Sequence, residues 1–244
     1  LNFPSFLVNI GGQTLPRAFG TLPDPHVFGA YLALALPFGC WLFEKTGKNV
    51  YLIGSGLILG ASVLSFSRTV YWMLLAEILL SALLFLKRKT LLLAASLFLL
   101  MFLPLLLATE NPVKSRFLSS FDFQDGSVTG RLDMWEKAFQ VFGQNPWGGV
   151  GLGNFPLAVN PRADFREPIS AHNLFLDFLA ETGLFSFVLL VFILGLPLGE
   201  KLFSPSRSAK PLAIFFLGFL IYALFENPFF SLQFFPLFLI FLAL

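Results

Sequence analysis

Long uninterrupted apolar runs constrain this chain more than any other feature. They fall at 27–43, 50–66, 69–86, 90–108, 183–199, 211–225 and 228–244. A helix needs about 20 apolar residues to cross the ~30 Å hydrocarbon core of a bilayer, with roughly 17–25 tolerated. In lipid every backbone amide must be satisfied internally, which leaves helices or closed barrels as spanning structures. These runs lack the period-two alternation of barrel strands, so the chain reads as all-α. Composition agrees. Charged residues are 12% of the 244, against about 25% in soluble domains. Mean hydropathy is +0.78, and there are 33 Phe, more than one soluble core needs. The expected fold is a polytopic transmembrane helix bundle with a long, partly helical external loop.

Basic residues set its orientation. Lys45 and Lys48, then Lys87, Arg88 and Lys89, then Lys201, Arg207 and Lys210 occupy alternate connectors, which places them on one side, the cytoplasm. The opposite side receives residues 1–26, the Ser67-Arg68 turn, the segment 109–172 and the Glu226-Asn227 turn. The whole of 1–244 reads as one membrane domain, with four spans in 27–108, the external loop at 109–172 and three spans in 173–244. The chain starts at Leu1 and ends within an apolar run, so it is expected to be a fragment of a longer protein. Residues 1–26 hold four prolines and no charged start, unlike a signal peptide. The net charge of +2 gives no reason to expect a nucleic-acid partner.

Within the external loop, Thr129 is positioned to cap a helix running to about Phe142, ended by Gly143. Leu132, Trp135, Phe139 and Phe142 would form its apolar face, with Arg131, Asp133, Glu136, Lys137 and Gln140 on the rest.

Topology brings Arg68, Arg131 and His172 to the same external face. An arginine fork binds pyrophosphate or carboxylate bidentately. A histidine near neutral pKa can take a proton from a hydroxyl nucleophile. Together they describe a site for a phosphate-bearing lipid and an activated alcohol. Each residue also has a plainer reading: a snorkelling anchor for Arg68, a helix cap for His172, a solvated helix position for Arg131. A helix from His172 to Gly199 would be about 42 Å long, so its first turns should project from the membrane or bend near Gly183. Asn173, Asp177 and Glu181 share one face of those turns, either orienting the histidine, holding a sugar or marking a wetted face.

Glu77 lies about 13 Å into the third span, a depth at which a carboxyl must face the bundle interior or water. The run Gly148-Gly149-Val150-Gly151-Leu152-Gly153 has no preceding strand and no following Gly-Lys-Ser/Thr, so it reads as a packing turn and not a phosphate loop. With His26, His172 and Cys40 as the only histidines and cysteine, no metal-ligand spacing is present and no metal is expected. Cys40 reads as a small residue in a packed helix.

The stretches TGRLDMWEKA at 129–138, NPWGGVGLGNF at 145–155 and AHNLFLDFLAETG at 171–183, with Ser67-Arg68 after an apolar span, resemble the O-antigen ligase and O-antigen polymerase superfamily. The stretch RAFGTLPDPHVFGAYL at 17–32 is similar to an earlier family segment, although His26 stands where relatives often carry Asn. The resemblance implies a multi-pass glycosyltransferase of the bacterial inner membrane, with its active site facing the periplasm or exterior. It would move a glycan from a polyprenyl-pyrophosphate carrier to an acceptor hydroxyl on lipid A–core or a growing glycan, without cofactors. His172 and Arg68 would be catalytic. Arg131 and Arg17 would bind the pyrophosphate or glycan, with Asn173, Asp177 and Glu181 as further substrate-binding candidates. Ligase, polymerase and protein-glycosylating members share these motifs. The alternative class is a polytopic transporter, for which paired broken helices in two related halves would be expected; the sequence carries no such repeat.

Overall fold

The computed structural model describes residues 6–10, 12–22, 24–85, 111–122, 124–162, 169–230, 236 and 238–240. In chain order these form β1 (Leu7–Ile10), β2 (Gln13–Pro16), α1 (Pro25–Ala33), α2 (Leu36–Thr46), α3 (Asn49–Val63), α4 (Arg68–Phe85), α5 (Pro112–Leu118), α6 (Gly126–Gln144), α7 (Phe155–Val159), α8 (Leu174–Phe203) and α9 (Lys210–Ala223), with 3-10 turns at Ser119–Phe121, Arg207–Ala209 and Pro228–Phe230. The molecule is mostly helical. Pro25–Thr46 and Leu174–Phe203 are long and apolar enough to cross a membrane, and 33% of each apolar window is buried inside the protein, so most of each faces outward. The expected span 90–108 and most of 228–244 lie outside the described residues.

Contacts divide the chain into two compact units. The first comprises Leu1–Phe121 and Lys201–Phe219. Asp24 starts α1 by accepting from the amides of His26 (2.6 Å) and Val27 (3.3 Å), with Pro25 at the first helical position, where a missing N–H costs nothing. The expected span 27–43 is two helices, broken at Leu34-Ala35, because Pro37 has no N–H for the carbonyl four residues back. Gly47, at φ 67°, closes α2. Glycines let these helices approach closely: a Cβ on Gly29 would strike Ser65, and one on Gly39 would strike Ser55 Oγ. Glu77 is fully buried against Gly218 of α9, and neither of its carboxylate oxygens has a hydrogen-bond partner among the described residues. The antiparallel β1–β2 hairpin was not foreseen in the sequence. Its alternate residues Val8 and Ile10 pack on Phe66, with Leu15 and Val113 beside them.

The second unit comprises Asp122–Glu200 and Leu220–Leu244. Its core gathers Ala138, Val141, Phe155, Ala171 and Ala180, flanked by Trp135, Val150, Ile169 and Leu176. Helix α6 starts earlier than expected. Asp125 caps it by accepting from the Ser127 amide at 3.0 Å, and Thr129 sits inside the first turn with its hydroxyl on the Asp125 and Gly126 carbonyls. The buried face also differs. Trp135, Ala138 and Val141 point inward, while Leu132 and Phe139, seven residues apart, form an exposed stripe. Small Ala138 lets the helix seat closely on the core, a preference that a count of large apolar residues misses. Helix α8 breaks at Gly183 (φ 75°, ψ −177°), at the bend anticipated from its length.

Candidate active site

In the first unit, arginines converge on the turn between α3 and α4. Phe66 in this turn is in the left-handed region, at φ 50°, which non-glycine residues rarely adopt. Three bonds brace it. Arg17 Nε donates to the Ser65 carbonyl (2.8 Å), Arg116 Nε to the Phe66 carbonyl (3.1 Å), and the Ala18 amide to the Leu64 carbonyl (2.9 Å). Arg68 then reaches the other way, donating from Nη1 to the Ser119 carbonyl at 2.9 Å. Ser67 Oγ lies 2.7 Å from His26 Nδ1. That contact gives the unexpected His26 a place: it faces the Ser67-Arg68 motif. Arg17 and Arg68 are both buried, at 7% and 6% exposure, so their guanidinium groups are held rigidly. Arg116 escaped sequence reasoning because it is one of several basic residues in the long loop, and its partner is 50 residues away.

In the second unit, His172 precedes α8. Its backbone is left-handed (φ 49°) and its side chain is 46% exposed. Asn173 next to it caps α8, its side-chain oxygen accepting from the Phe175 (3.0 Å) and Leu176 (3.1 Å) amides. His172 Nδ1 lies 3.2 Å from Glu226 Oε2, and the other oxygen of that carboxylate accepts from Arg131 Nη2 at 2.7 Å. An imidazole and a guanidinium, 41 residues apart in the chain, thus meet at one carboxylate. The hydrogen bond to Glu226 holds the His172 pKa above the ordinary 6.5; partial burial and the charge of Arg131 oppose it, while the charges of Glu226 and Asp177 add to it.

Asp177 and Glu181 are buried, at 2% and 3% exposure, and do not form a wetted face. The reason is that both carboxylates bond to loops of the protein. Asp177 accepts from the Ala171 amide (2.6 Å) and from Asn227 Nδ2 (2.9 Å). Glu181 accepts from the Phe155 amide (3.3 Å) and from the Gly153 backbone, which starts α7. The glycine run is zipped onto the break in α8: the Val150 and Gly151 amides donate to the Ala180 and Glu181 carbonyls, and Leu184 N donates to the Pro146 carbonyl. It forms a packing turn. Among the described residues no cluster of three or more His, Cys, Asp or Glu could hold a metal ion.

The structure thus gathers Arg17 and Arg68 with Arg116 in one unit, and Arg131, His172, Asn173, Asp177 and Glu181 with Glu226 and Asn227 in the other. Glu226 was legible only as half of an external turn; its partners are 54 and 95 residues away.

Compared with known protein families, residues 53–191 match O-antigen ligase. A search of the curated proteins found no match.

Proposed function

This chain belongs to the O-antigen ligase family, a family of bacterial membrane proteins, and we propose that it transfers a glycan from a polyprenyl-pyrophosphate carrier to an acceptor hydroxyl. The observation that carries this reading is the meeting of His172 and Arg131 at Glu226. It puts a proton acceptor and an anion-binding fork in one constellation, as displacement of a pyrophosphate by an alcohol requires. In the proposed step the imidazole takes the hydroxyl proton and the oxygen attacks the anomeric carbon. The bond from that carbon to the pyrophosphate oxygen breaks, and the carrier leaves as its pyrophosphate. Arg131 is assigned to the charge that grows on the leaving group, where a fixed guanidinium stabilises the transition state more than the ground state. Arg68 and Arg17 are assigned to the reaction by their match to the family's motifs. Asp177 and Glu181 are assigned to fastening the loops around His172, and Asn173 to the cap that starts the helix beyond it.

In this reading the protein is a multi-pass helix bundle of the bacterial inner membrane. The seven apolar runs are its spans and 109–172 its external loop, with the transfer site facing outward. The acceptor is lipid A–core for a ligase or a growing glycan for a polymerase.

The test uses the full-length gene in a deletion host, with lipopolysaccharide resolved on a gel. Wild type should restore the polymer ladder, and His172→Ala and Arg68→Ala should not, although both proteins insert and accumulate. Core alone in the deletion host assigns ligation; core bearing a single repeat assigns polymerisation. Full ladders from both variants would overturn the site, and a ladder independent of the gene would overturn the activity.

A further inference from the structure

We infer that Glu226 is the positioning residue of His172: it fixes which ring nitrogen faces the acceptor and sets how strongly that nitrogen takes a proton. The inference rests on the glycosyl-transfer reading for its purpose, but its geometry stands independently.

Glu226 lies just past the end of α9, and its own amide donates to the Tyr222 carbonyl at 2.9 Å. A carboxylate beside the last carbonyls of a helix meets the negative end of the helix dipole, so this location does not stabilise the anion by itself. Arg131 at 2.7 Å and His172 at 3.2 Å supply stabilisation that the helix end does not. The carboxylate is 17% exposed, so these contacts are only partly screened by solvent. Because Nδ1 faces Glu226, the neutral imidazole is held with its proton on Nδ1, donating to the carboxylate. Nε2 then carries the lone pair. A histidine at φ 49° on a half-exposed loop would otherwise sample several ring orientations, and the carboxylate selects one.

Arg131 makes the arrangement more than a pair. It occupies the second carboxylate oxygen and opposes the rise in histidine basicity, so Glu226 and Arg131 act on His172 with opposite sign. The charged groups facing His172 are Glu226 and Asp177, which favour the imidazolium, and Arg131, which disfavours it.

The opposite signs provide the test. The full-length protein in detergent is labelled at histidine nitrogens, and His172 is assigned by its loss in His172→Gln. Its titration is then followed by NMR in wild type, Glu226→Gln and Arg131→Gln. Wild-type His172 should titrate above 6.5 with the Nδ1–H tautomer dominant. Glu226→Gln should lower the midpoint and mix the tautomers; Arg131→Gln should raise it. Opposite shifts cannot come from general unfolding, which would move both variants toward 6.5. An unchanged His172 midpoint and tautomer in Glu226→Gln overturns the inference. In the deletion host, Glu226→Gln should cut ladder formation about 10-fold to 100-fold, and Glu226→Asp should recover part of it. If the NMR shifts appear while wild type forms no glycan product, the positioning stands and the glycosyl-transfer reading falls. If Glu226→Gln forms full ladders, the positioning role in catalysis falls.

Discussion

Asn227 donates from Nδ2 to Asp177 Oδ2 across 2.9 Å, and this bond ties the turn that carries Glu226 to the helix that follows His172. The other oxygen of Asp177 holds the Ala171 amide at 2.6 Å, one residue before the histidine. One buried carboxylate therefore sets the spacing between His172 and Glu226 without touching either through the bonds described.

Asp177→Ala should consequently damage the site at one remove. It strands the buried Ala171 N–H, a loss of about 1–3 kcal/mol, and releases Asn227. Asp177→Asn keeps an acceptor for Ala171 and should fall between wild type and alanine. Thermal unfolding in detergent, read alongside ladder formation, checks the order. An alanine variant as stable and active as wild type would refute the role.

His172 also makes stability depend on pH. Its folded pKa is raised above 6.5, chiefly by the hydrogen bond to Glu226, so the imidazolium is favoured in the folded state. The stabilisation is fully present below 6.5 and is lost as pH rises through the raised folded value. The midpoint difference between wild type and His172→Gln should therefore shrink between pH 5.5 and 8.5, as scanning fluorimetry can show. A difference that grows over this range would contradict the assigned pair.

What the sequence made legible was what local periodicity and chain length encode. The helical class, the bend at Gly183 and the packing role of the glycine run all follow from residue spacing within a few turns. Three features did not follow. Asp125 competes with Thr129 as a cap, and the geometry of the preceding turn decides between them. The seating of Ala138 turns Leu132 and Phe139 outward, which depends on a core assembled from distant segments. Arg116, Glu226 and Asn227 act across separations of 50 residues or more, which no motif spacing reveals.

The interlock of the glycine run with the break in α8 predicts a sharp contrast among neighbouring glycines. At Gly149 (φ 64°) a Cβ would strike the Glu181 carbonyl, and at Gly183 (φ 75°) it would strike the Trp147 carbonyl. Both clashes are with backbone, so nothing can swing aside. Gly149→Ala and Gly183→Ala should each cost at least about 1–3 kcal/mol through the left-handed backbone alone. Gly148→Ala, with nothing within 4 Å of its Cβ, should be tolerated. Equal yields of folded protein from all three would show that the interlock does not form.

The turn at Phe66 predicts a role for an arginine that no motif marks. Arg116 donates to the Phe66 carbonyl, and Arg68 donates to the Ser119 carbonyl, so residues 66–68 and 116–119 clasp each other in both directions. The Ser119 hydroxyl bonds back to the Arg116 carbonyl at 2.8 Å, which keeps the second segment folded on itself. Removing Arg116 would leave the left-handed Phe66 braced from one side and would free the segment that anchors Arg68. Arg116→Ala should therefore lower stability by about 1.5–3 kcal/mol, the range for a hydrogen bond to a charged group. It should also reduce ladder formation about 10-fold, by loosening Arg68. Arg116→Lys keeps the charge and can reach one carbonyl, but it lacks the planar fork that fixes direction, so it should recover stability more than activity. Lysine restoring activity in full would show that charge alone matters at this position, and wild-type behaviour of Arg116→Ala in both assays would remove the clasp from the account.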